Sequence, residues 1–576
     1  MKRRLFLKNL GAAGAAVVLG EAAGSQAQAA AGRIDPQRLA ARNANRSTVT
    51  ARNGMVCASQ PLAVQAGLDI LKAGGNAIDA AVATNAMLGL TEPMSNGIGG
   101  DLFAIVWHES DGKLQGLNAS GRAPYAWSIA KAGELGIDAI PTYSPLAWTV
   151  PGCVSGWQML LQQYGSLPLS RLLQAPIRYA QEGFVVAPVA ARYWAARNYD
   201  RFPTLKQTFA PEGRPPRYGE VFRNPDLAKT LTLLANEGAD AFYQGEIAER
   251  IVKFSTEQGG YFNMKDFADH RANWVDPVST SYRSYDIWEI PPNGQGIATL
   301  QILNLLEHFD IPSLQPNSAE HLHLFLEAKK LAFEDRAVYY ADMEFADVPL
   351  KELISKEYAA ERVRQIDRRK AAISVAAGRL PGQSDTVYLT TADRWGNMVS
   401  LIQSTFHGFG SQYVPDNLGF ALQNRGQQFS LNPRALNSLR PHKRPFHTII
   451  PSFVTRKDRP VFSFGVMGGD FQPQGQSQVL MNLLDFGMSV QQAGEQPRVR
   501  HHESSTPTGA KMVQGGYVTL EKRIPDATRR QLKEMGHDVR DATGAHGGYQ
   551  GIWREDDPMR YFGGSEPRQD GCALGY

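Results

Sequence analysis

The sequence predicts an α+β fold, and three observations point to it. Residues 77–90 form a helical stretch packed with alanine, whose small side chains permit close contact against a sheet. Residues 386–404 alternate at period two around a turn, the pattern of a β-hairpin. From about residue 144 to 380 the periodicity is mostly helical, with proline-rich connections such as Glu289-Ile-Pro-Pro-Asn-Gly-Gln-Gly296. With 576 residues, 43% of them hydrophobic and 20% charged, the chain can bury large cores and is neither disordered nor fibrous. That length allows up to four domains at roughly 150 residues each, or one intertwined fold that uses most of it.

Charge excludes two classes of partner. Of the formal +4, the first 30 residues hold +3, from Lys2, Arg3, Arg4 and Lys8 against Glu21, which leaves +1 for the remainder. So small a balance gives no electrostatic footprint for nucleic acid or an anionic membrane surface. The same 30 residues read as an export signal. Arg3-Arg4-Leu5-Phe6-Leu7-Lys8 is a twin-arginine pattern, Gly11 to Gly20 is a small apolar run, and Ala27-Gln28-Ala29 suits cleavage. The run is well short of the ~20 residues a spanning helix needs, so residues 1–29 are expected to leave and the mature protein to have no membrane anchor. The expected compartment is a bacterial periplasm. Three cysteines, Cys57, Cys153 and Cys572, are an odd and sparse set, better read as small buried hydrophobes than as disulfides.

The elements follow in chain order. Arg33 to Asn53 is a polar arm. From Pro61, Val64, Leu68 and Leu71 recur at helical spacing, Gly74-Gly75 stops that helix, and Asn76 can cap the next, Ala77 to Leu90. The run Gly97-Ile98-Gly99-Gly100 looks superficially like a phosphate loop but lacks the G-x-G-x-x-G spacing and follows a helix, so it reads as tight backbone packing near a site. Glu320 to Asp342 reads as a long amphipathic helix, and Lys356 to Gly382 as a polar, exposed segment. Thr386-Val-Tyr-Leu-Thr-Thr391, the turn Asp393 to Gly396, and Asn397 to Ser404 then form the hairpin.

A threonine at a strand start, just after an exposed linker, has a chemical use. Cleavage before it creates an N-terminal threonine whose hydroxyl can attack while its free α-amine accepts the proton. Taken alone, Asp385-Thr386 is a common dipeptide, and an ordinary strand residue is the plainer reading.

The surrounding blocks change that balance. Ala58-Ser-Gln-Pro-Leu-Ala63, Ile70 to Ala81, Gly97 to Gly100, Gly121-Arg-Ala-Pro124, the Asp385-Thr386 junction, Lys443-Arg-Pro445, Gly468-Gly469, Ser565-Glu-Pro-Arg568 and the terminal Gly575-Tyr576 occur in one order. In these blocks the chain resembles the γ-glutamyltransferase family of N-terminal-nucleophile hydrolases across nearly all of residues 30–576. The resemblance implies a four-layer αββα sandwich and a proenzyme that cuts itself between Asp385 and Thr386. A large fragment, 30–385, and a small one, 386–576, would remain together as a heterodimer forming one intertwined unit. It implies an acyl-enzyme on Thr386, released to water or to an acceptor amine, with a small amide as substrate and no metal or organic cofactor. By the same resemblance Ser404 is the second hydroxyl that holds the nucleophile's amine, or else a hydroxyl that merely ends a strand. Gly468 and Gly469 are the oxyanion-binding glycines, or else a plain turn. Arg122 is the arginine that grips a substrate carboxylate.

Departures from the family pattern fall on substrate recognition. In γ-glutamyl-specific members an acidic residue pairs with the substrate's α-ammonium; Leu422-Gln-Asn-Arg-Gly-Gln-Gln-Phe429 places Gln428 there. Phe406 replaces an asparagine, His447-Thr448 replaces two serines, and the segment from Ser430 to Pro441 is shorter than the family's lid loop. Losing a carboxylate partner removes a contact of about 1.5–3 kcal/mol. These features are similar to the branch of cephalosporin and glutaryl acylases. The histidines lack metal-ligand spacing; His501 and His502 read as structural, and His447 as lining the acyl pocket. The sequence thus leads to cleavage or transfer of γ-glutamyl or similar carboxylate-bearing acyl groups. The rivals are an acylase or small-amide amidohydrolase taking amine-free acyl groups, and an uncleaved, non-catalytic binding homologue.

Overall fold

Two seven-stranded antiparallel sheets are stacked face to face in the computed structural model, which describes residues 45–375, 385–544 and 546–576. The expected export signal and residues 376–384, at the end of the segment read as polar and exposed, lie outside the described residues, and that segment opens with a short helix, Lys356–Arg362. Residues 43–576 form one compact unit.

The first sheet contains β1 (Val49–Ala51), and the second contains β2 (Gly54–Ala58), β3 (Asp101–His108), β4 (Lys113–Ala119) and β5 (Asn273–Val275). Next along the chain come β6 (Val278–Tyr282) and β7 (Tyr285–Glu289) in the first sheet, then β8 (Asp385–Asp393) and β9 (Met398–Phe406) in the second. The first sheet is completed by β10 (Ser452–Arg456), β11 (Arg459–Val466), β12 (Tyr549–Asp556) and β13 (Met559–Ser565), and β14 (Cys572–Gly575) closes the second. The spatial orders are β1-β13-β12-β11-β10-β7-β6 and β14-β2-β8-β9-β3-β4-β5. Each sheet therefore mixes strands from before and after residue 386.

Alternation along each strand sends one set of side chains between the sheets. Met55, Cys57, Phe103, Ile105, Tyr388 and Ile402 of the second sheet meet Phe453, Ile552 and Tyr561 of the first in one buried cluster. The opposite faces are covered by helices. The alanine-rich helices α1 (Pro61–Lys72) and α2 (Ala77–Thr91), with α3 (Cys153–Tyr164), pack in one core with Val387, Leu389, Val399 and Leu401. Helices α4 (Ile297–Leu306), α5 (Ala319–Tyr339), α6 (Gln472–Leu484) and α7 (Val490–Glu495) pack with Ile287, Val454, Phe464 and Val466. The order helix, sheet, sheet, helix is the αββα sandwich that the resemblance implies.

Local signals work as read around the first helices. Gly74 (φ +94°) ends α1, and Asn76 caps α2 through the N–H groups of Ile78 and Asp79, with Asp79 closing a capping box. All three cysteines are free, with Cys57 and Cys153 buried. Two expectations need correction. The stretch read as mostly helical holds β5, β6 and β7, which extend both sheets at their edges. The helix read as amphipathic has no solvent face from His321 to Arg336, because its charges are paired inside: Lys330 with Glu327 at 2.8 Å, Asp335 with Arg362 at 3.2 Å. Among the described residues, no helix is long and apolar enough to cross a membrane.

The hairpin turn is held by Asp393. Its carboxylate accepts from Trp395 N (2.9 Å), Asn397 N (3.0 Å), Asn397 Nδ2 (2.8 Å) and, across to the start of α2, Ala77 N (2.8 Å). Asp393→Ala strands these donors and is expected to cost about 2–4 kcal/mol, read as a lower urea midpoint at unchanged slope.

Candidate active site

Thr386 is the second residue of β8, and the β8–β9 pairing slips there. Asp385 lies opposite Phe406 but Val387 lies opposite Gln403, so Thr386 alone faces two residues of β9, Ser404 and Thr405, in a bulge. A bulge re-aims a side chain that regular pairing would fix. At the bulge, Thr386 Oγ1 donates to Ser404 Oγ at 3.4 Å and accepts from Gln472 Nε2 at 3.4 Å. Gln472, the first residue of α6, is itself oriented by Ile450 N, which donates to its Oε1 at 3.0 Å.

Ser404 Oγ also accepts from Phe406 N at 2.8 Å and from Arg425 Nη2 at 3.3 Å. Arg425 Nη1 donates to Thr448 Oγ1 at 2.8 Å, and the guanidinium lies 4.1 Å from the centre of the Phe406 ring. Phe406 holds φ +81°, a conformation that bulky side chains rarely adopt and that persists only when the surroundings enforce it. The glycine run read as tight packing lies directly behind: a Cβ on Gly100 would fall 2.3 Å from the Ser404 carbonyl oxygen, and one on Gly99 would fall 2.1 Å from that of Ala421.

Gly468 (φ +122°) and Gly469 (φ +62°) occupy the left-handed region just before α6. They open a 3₁₀ turn, Gly469–Phe471, that runs into the helix, where leading N–H groups have no intrahelical acceptor. Gln295 ties this turn to the Arg425 side by donating from Nε2 to both Gly469 O (2.8 Å) and Thr448 O (2.7 Å). Its Oε1 accepts from the buried Arg336 at 2.6 Å.

Beneath these residues lies a buried carboxylate. Asp101 Oδ1 accepts from Gly121 N (2.8 Å), Gly152 N (3.2 Å) and Gln423 Nε2 (2.7 Å), while Oδ2 meets His447 Nε2 at 3.0 Å. Because His447 Nδ1 accepts from Ile449 N at 3.3 Å, the ring's proton belongs on Nε2 and points at Asp101. Burial pushes the Asp101 carboxyl up to about 7 against the pull of Arg425 and of its N–H donors. Burial, reinforced by Arg425, pushes His447 well below the ordinary histidine range and keeps it neutral. Burial draws Arg425 down to about 9, with Asp101 opposing, so it stays cationic at neutral pH.

The structure gathers Thr386, Ser404, Phe406 and Thr448 around Arg425, with Gly468 and Gly469 linked to them through Gln472 and Gln295. It sets the remaining sequence-derived residues apart. His447 is wholly buried behind this group, against Asp101 and the Phe103 ring, instead of lining an acyl pocket. Arg122 lies in an ion cluster, donating to Glu344 Oε1 at 2.8 Å and to His442 O at 3.2 Å; Arg444 reaches the same Glu344 oxygen at 3.0 Å. Although burial raises Glu344, Arg122 and Arg444 hold its carboxyl below the usual range. Gln428 is buried, with its carbonyl fixed by Asn437 Nδ2 at 2.7 Å.

Sequence reasoning missed Asp101, Arg425, Gln472 and Gln295. Asp101 carried a signal, a lone acid opening the apolar run Leu102 to Trp107. Arg425 stands inside the block Leu422 to Phe429, a cation with no acidic neighbour.

Residues 63–576 match the family model described as gamma-glutamyltranspeptidase. The chain is 37% identical over 538 residues to the glutathione hydrolase-like YwrD proenzyme of Bacillus subtilis (strain 168), covering 92% of this chain and 100% of that one. It is 34% identical over 545 residues to the oxamate amidohydrolase proenzyme of Klebsiella pneumoniae, covering 92% and 100%. The crystal structure of cephalosporin acylase from Bacillus halodurans superposes with a TM-score of 0.86 at 44% identity, covering 92% and 97%.

The raised folded-state value of Asp101 fixes the sign of its pH effect. Its favourable contribution is complete below the ordinary aspartate range and is lost as pH rises toward about 7. The apparent melting midpoint of the wild type minus that of Asp101→Asn should therefore fall between pH 4 and 7 and level off above. A flat difference would exclude a raised Asp101.

Proposed function

Because the chain belongs to the gamma-glutamyltranspeptidase family and carries an N-terminal-nucleophile hydrolase fold, we propose that it is a self-processing amidohydrolase working through an acyl ester on Thr386. The observation that carries this reading is Thr386 at a bulge, in reach of Ser404 and Gln472, beside the Gly468-Gly469 turn. In maturation Oγ1 of Thr386 attacks the Asp385 carbonyl carbon, the C–N bond breaks, and the hydroxyl proton passes to the leaving nitrogen. Water then hydrolyses the ester and frees the threonine hydroxyl and α-amine. In turnover that amine takes the hydroxyl proton as Oγ1 attacks a substrate amide, and delivers it to the departing amine. The acyl group leaves to water or to an acceptor amine. The Gly468 and Gly469 N–H groups are the donors we assign to the tetrahedral oxyanion, since a left-handed backbone without side chains allows close approach.

The substrates we propose are small amides whose acyl group carries a carboxylate. γ-Glutamyl groups fit the likeness to the B. subtilis glutathione hydrolase-like protein. Amine-free acyl groups fit the likeness to the cephalosporin acylase and the oxamate amidohydrolase. A specific residue favours the latter: Gln428, at the position where γ-glutamyl enzymes place an acid, offers no charge to an α-ammonium. We also propose export through the twin-arginine segment and hence a periplasmic site of action.

Two measurements test this reading. Intact-mass analysis of the wild type should show a fragment beginning at Thr386, whereas Thr386→Ala should stay uncut and lose at least about 1000-fold in turnover; a cut and active Thr386→Ala would refute it. Parallel kinetics on γ-glutamyl and glutaryl anilides should favour glutaryl in kcat/KM, and a strong γ-glutamyl preference would reverse the order of the two substrate classes.

A further inference from the structure

Among the described residues, Arg425 is a buried cation with no anion paired to it. Its relative exposure is 0%, it uses two of its five N–H donors, on Ser404 and Thr448, and its Nε has no partner. Among the described residues no carboxylate lies within ion-pairing distance of it; Asp101 exerts only a longer-range pull and is engaged by His447, Gln423 and two backbone amides. A buried charge left unpaired is costly, and such a charge persists where something else supplies the partner. Arg122, the other arginine, already has carboxylate company in Glu344.

The position of Arg425 says what that partner is. Its Nη2 and the Thr386 hydroxyl oxygen stand 3.3 and 3.4 Å from one hydroxyl, Ser404 Oγ. A carboxylate hydrogen-bonded to the guanidinium therefore lies only a few carbon atoms from a carbonyl poised for attack by Thr386. In the continuous chain Thr386 is 3% exposed, and the first acyl group in this place is that of residue 385 itself, which leaves on hydrolysis. A γ-glutamyl group would bring an α-ammonium into the field of the same cation, whereas an amine-free diacid would not.

Resting on the function proposed above, we infer that Arg425 is the specificity-determining anchor for the acyl carboxylate. It selects short ω-carboxyacyl amides, from oxalyl to glutaryl, over neutral or longer acyl groups.

The test is a ladder of acyl anilides (oxalyl, malonyl, succinyl, glutaryl, adipyl), each beside its neutral methyl ester. The cut wild type should prefer the free acid by about 10- to 100-fold in kcat/KM for the short members, with the preference declining at adipyl. Arg425→Gln should lose more kcat/KM on the free acids than on the esters, so that the acid-to-ester ratio falls to about one, and Arg425→Lys should retain part of that ratio. An unchanged acid-to-ester ratio in Arg425→Gln overturns the inference, as does a ratio that collapses in Arg122→Gln but not in Arg425→Gln. If the Arg425 variants fail to mature, competitive inhibition of the wild type decides: malonate and succinate should bind at least about tenfold more tightly than their uncharged diamides, and equal binding overturns the inference. A wild type that cuts itself yet hydrolyses no anilide or ester would instead defeat the proposed function.

Discussion

Four hydrogen bonds converge on the carboxylate of Asp101, and the candidate site is organised around that convergence. The residue opens β3, an interior strand of one sheet, and its partners are Gly121, Gly152, Gln423 and His447. Two of those stand beside a group gathered at the candidate site, since Gln423 precedes Arg425 by two and His447 precedes Thr448, while Gly121 precedes Arg122 of the neighbouring ion cluster. One buried acceptor thus pins three separated stretches of chain to a rigid strand. The low dielectric that makes an unmet donor expensive also makes a fully met acceptor stiff. The orientation of the His447 ring follows from the same contact.

Around that anchor the site uses backbone irregularity as much as side chains. The bulge facing Thr386, the left-handed Phe406 opposite Asp385 and the left-handed Gly468-Gly469 pair lie where two stacked sheets approach the start of α6. Regular strands on either side absorb the strain, since β8 and β9 are the middle strands of their sheet and their inward side chains lie in the inter-sheet core. Distorted geometry survives where well-packed neighbours over-determine it.

Much of this was legible in the sequence where local chemistry sets local structure. Gly74-Gly75-Asn76 with Asp79 marks one helix end and the next helix start, and Asp393 to Gly396 marks a turn, because caps and turns depend on residues only a few positions apart. The ordered blocks carried the αββα layers through family resemblance. Strands β5 to β7 escaped notice because Trp274 to Trp288 is short and lies inside a long helical stretch. The helix from Ala319 misled because periodicity assumes a wet face, whereas here Lys330, Glu327 and Arg336 find partners indoors. Arg425 and Asp101 escaped because what matters about them is an absent or a distant partner, a property of the fold that no spacing encodes. His447 was singled out, but its orientation depends on Asp101, 346 residues away.

Both sheets interleave strands from either side of residue 386, and that interleaving governs how a severed chain behaves. A break at 385–386 creates two new ends but no separable halves, since each piece on its own would leave open gaps in both layers. With the cut proposed above, equal stoichiometry and correct pairing would be inherited from a single polypeptide, with no encounter between subunits required. Under the proposed self-cleavage the order of events would also be fixed: the scissors are assembled by the same folding that clasps the pieces together, and a chain cut before folding would have neither.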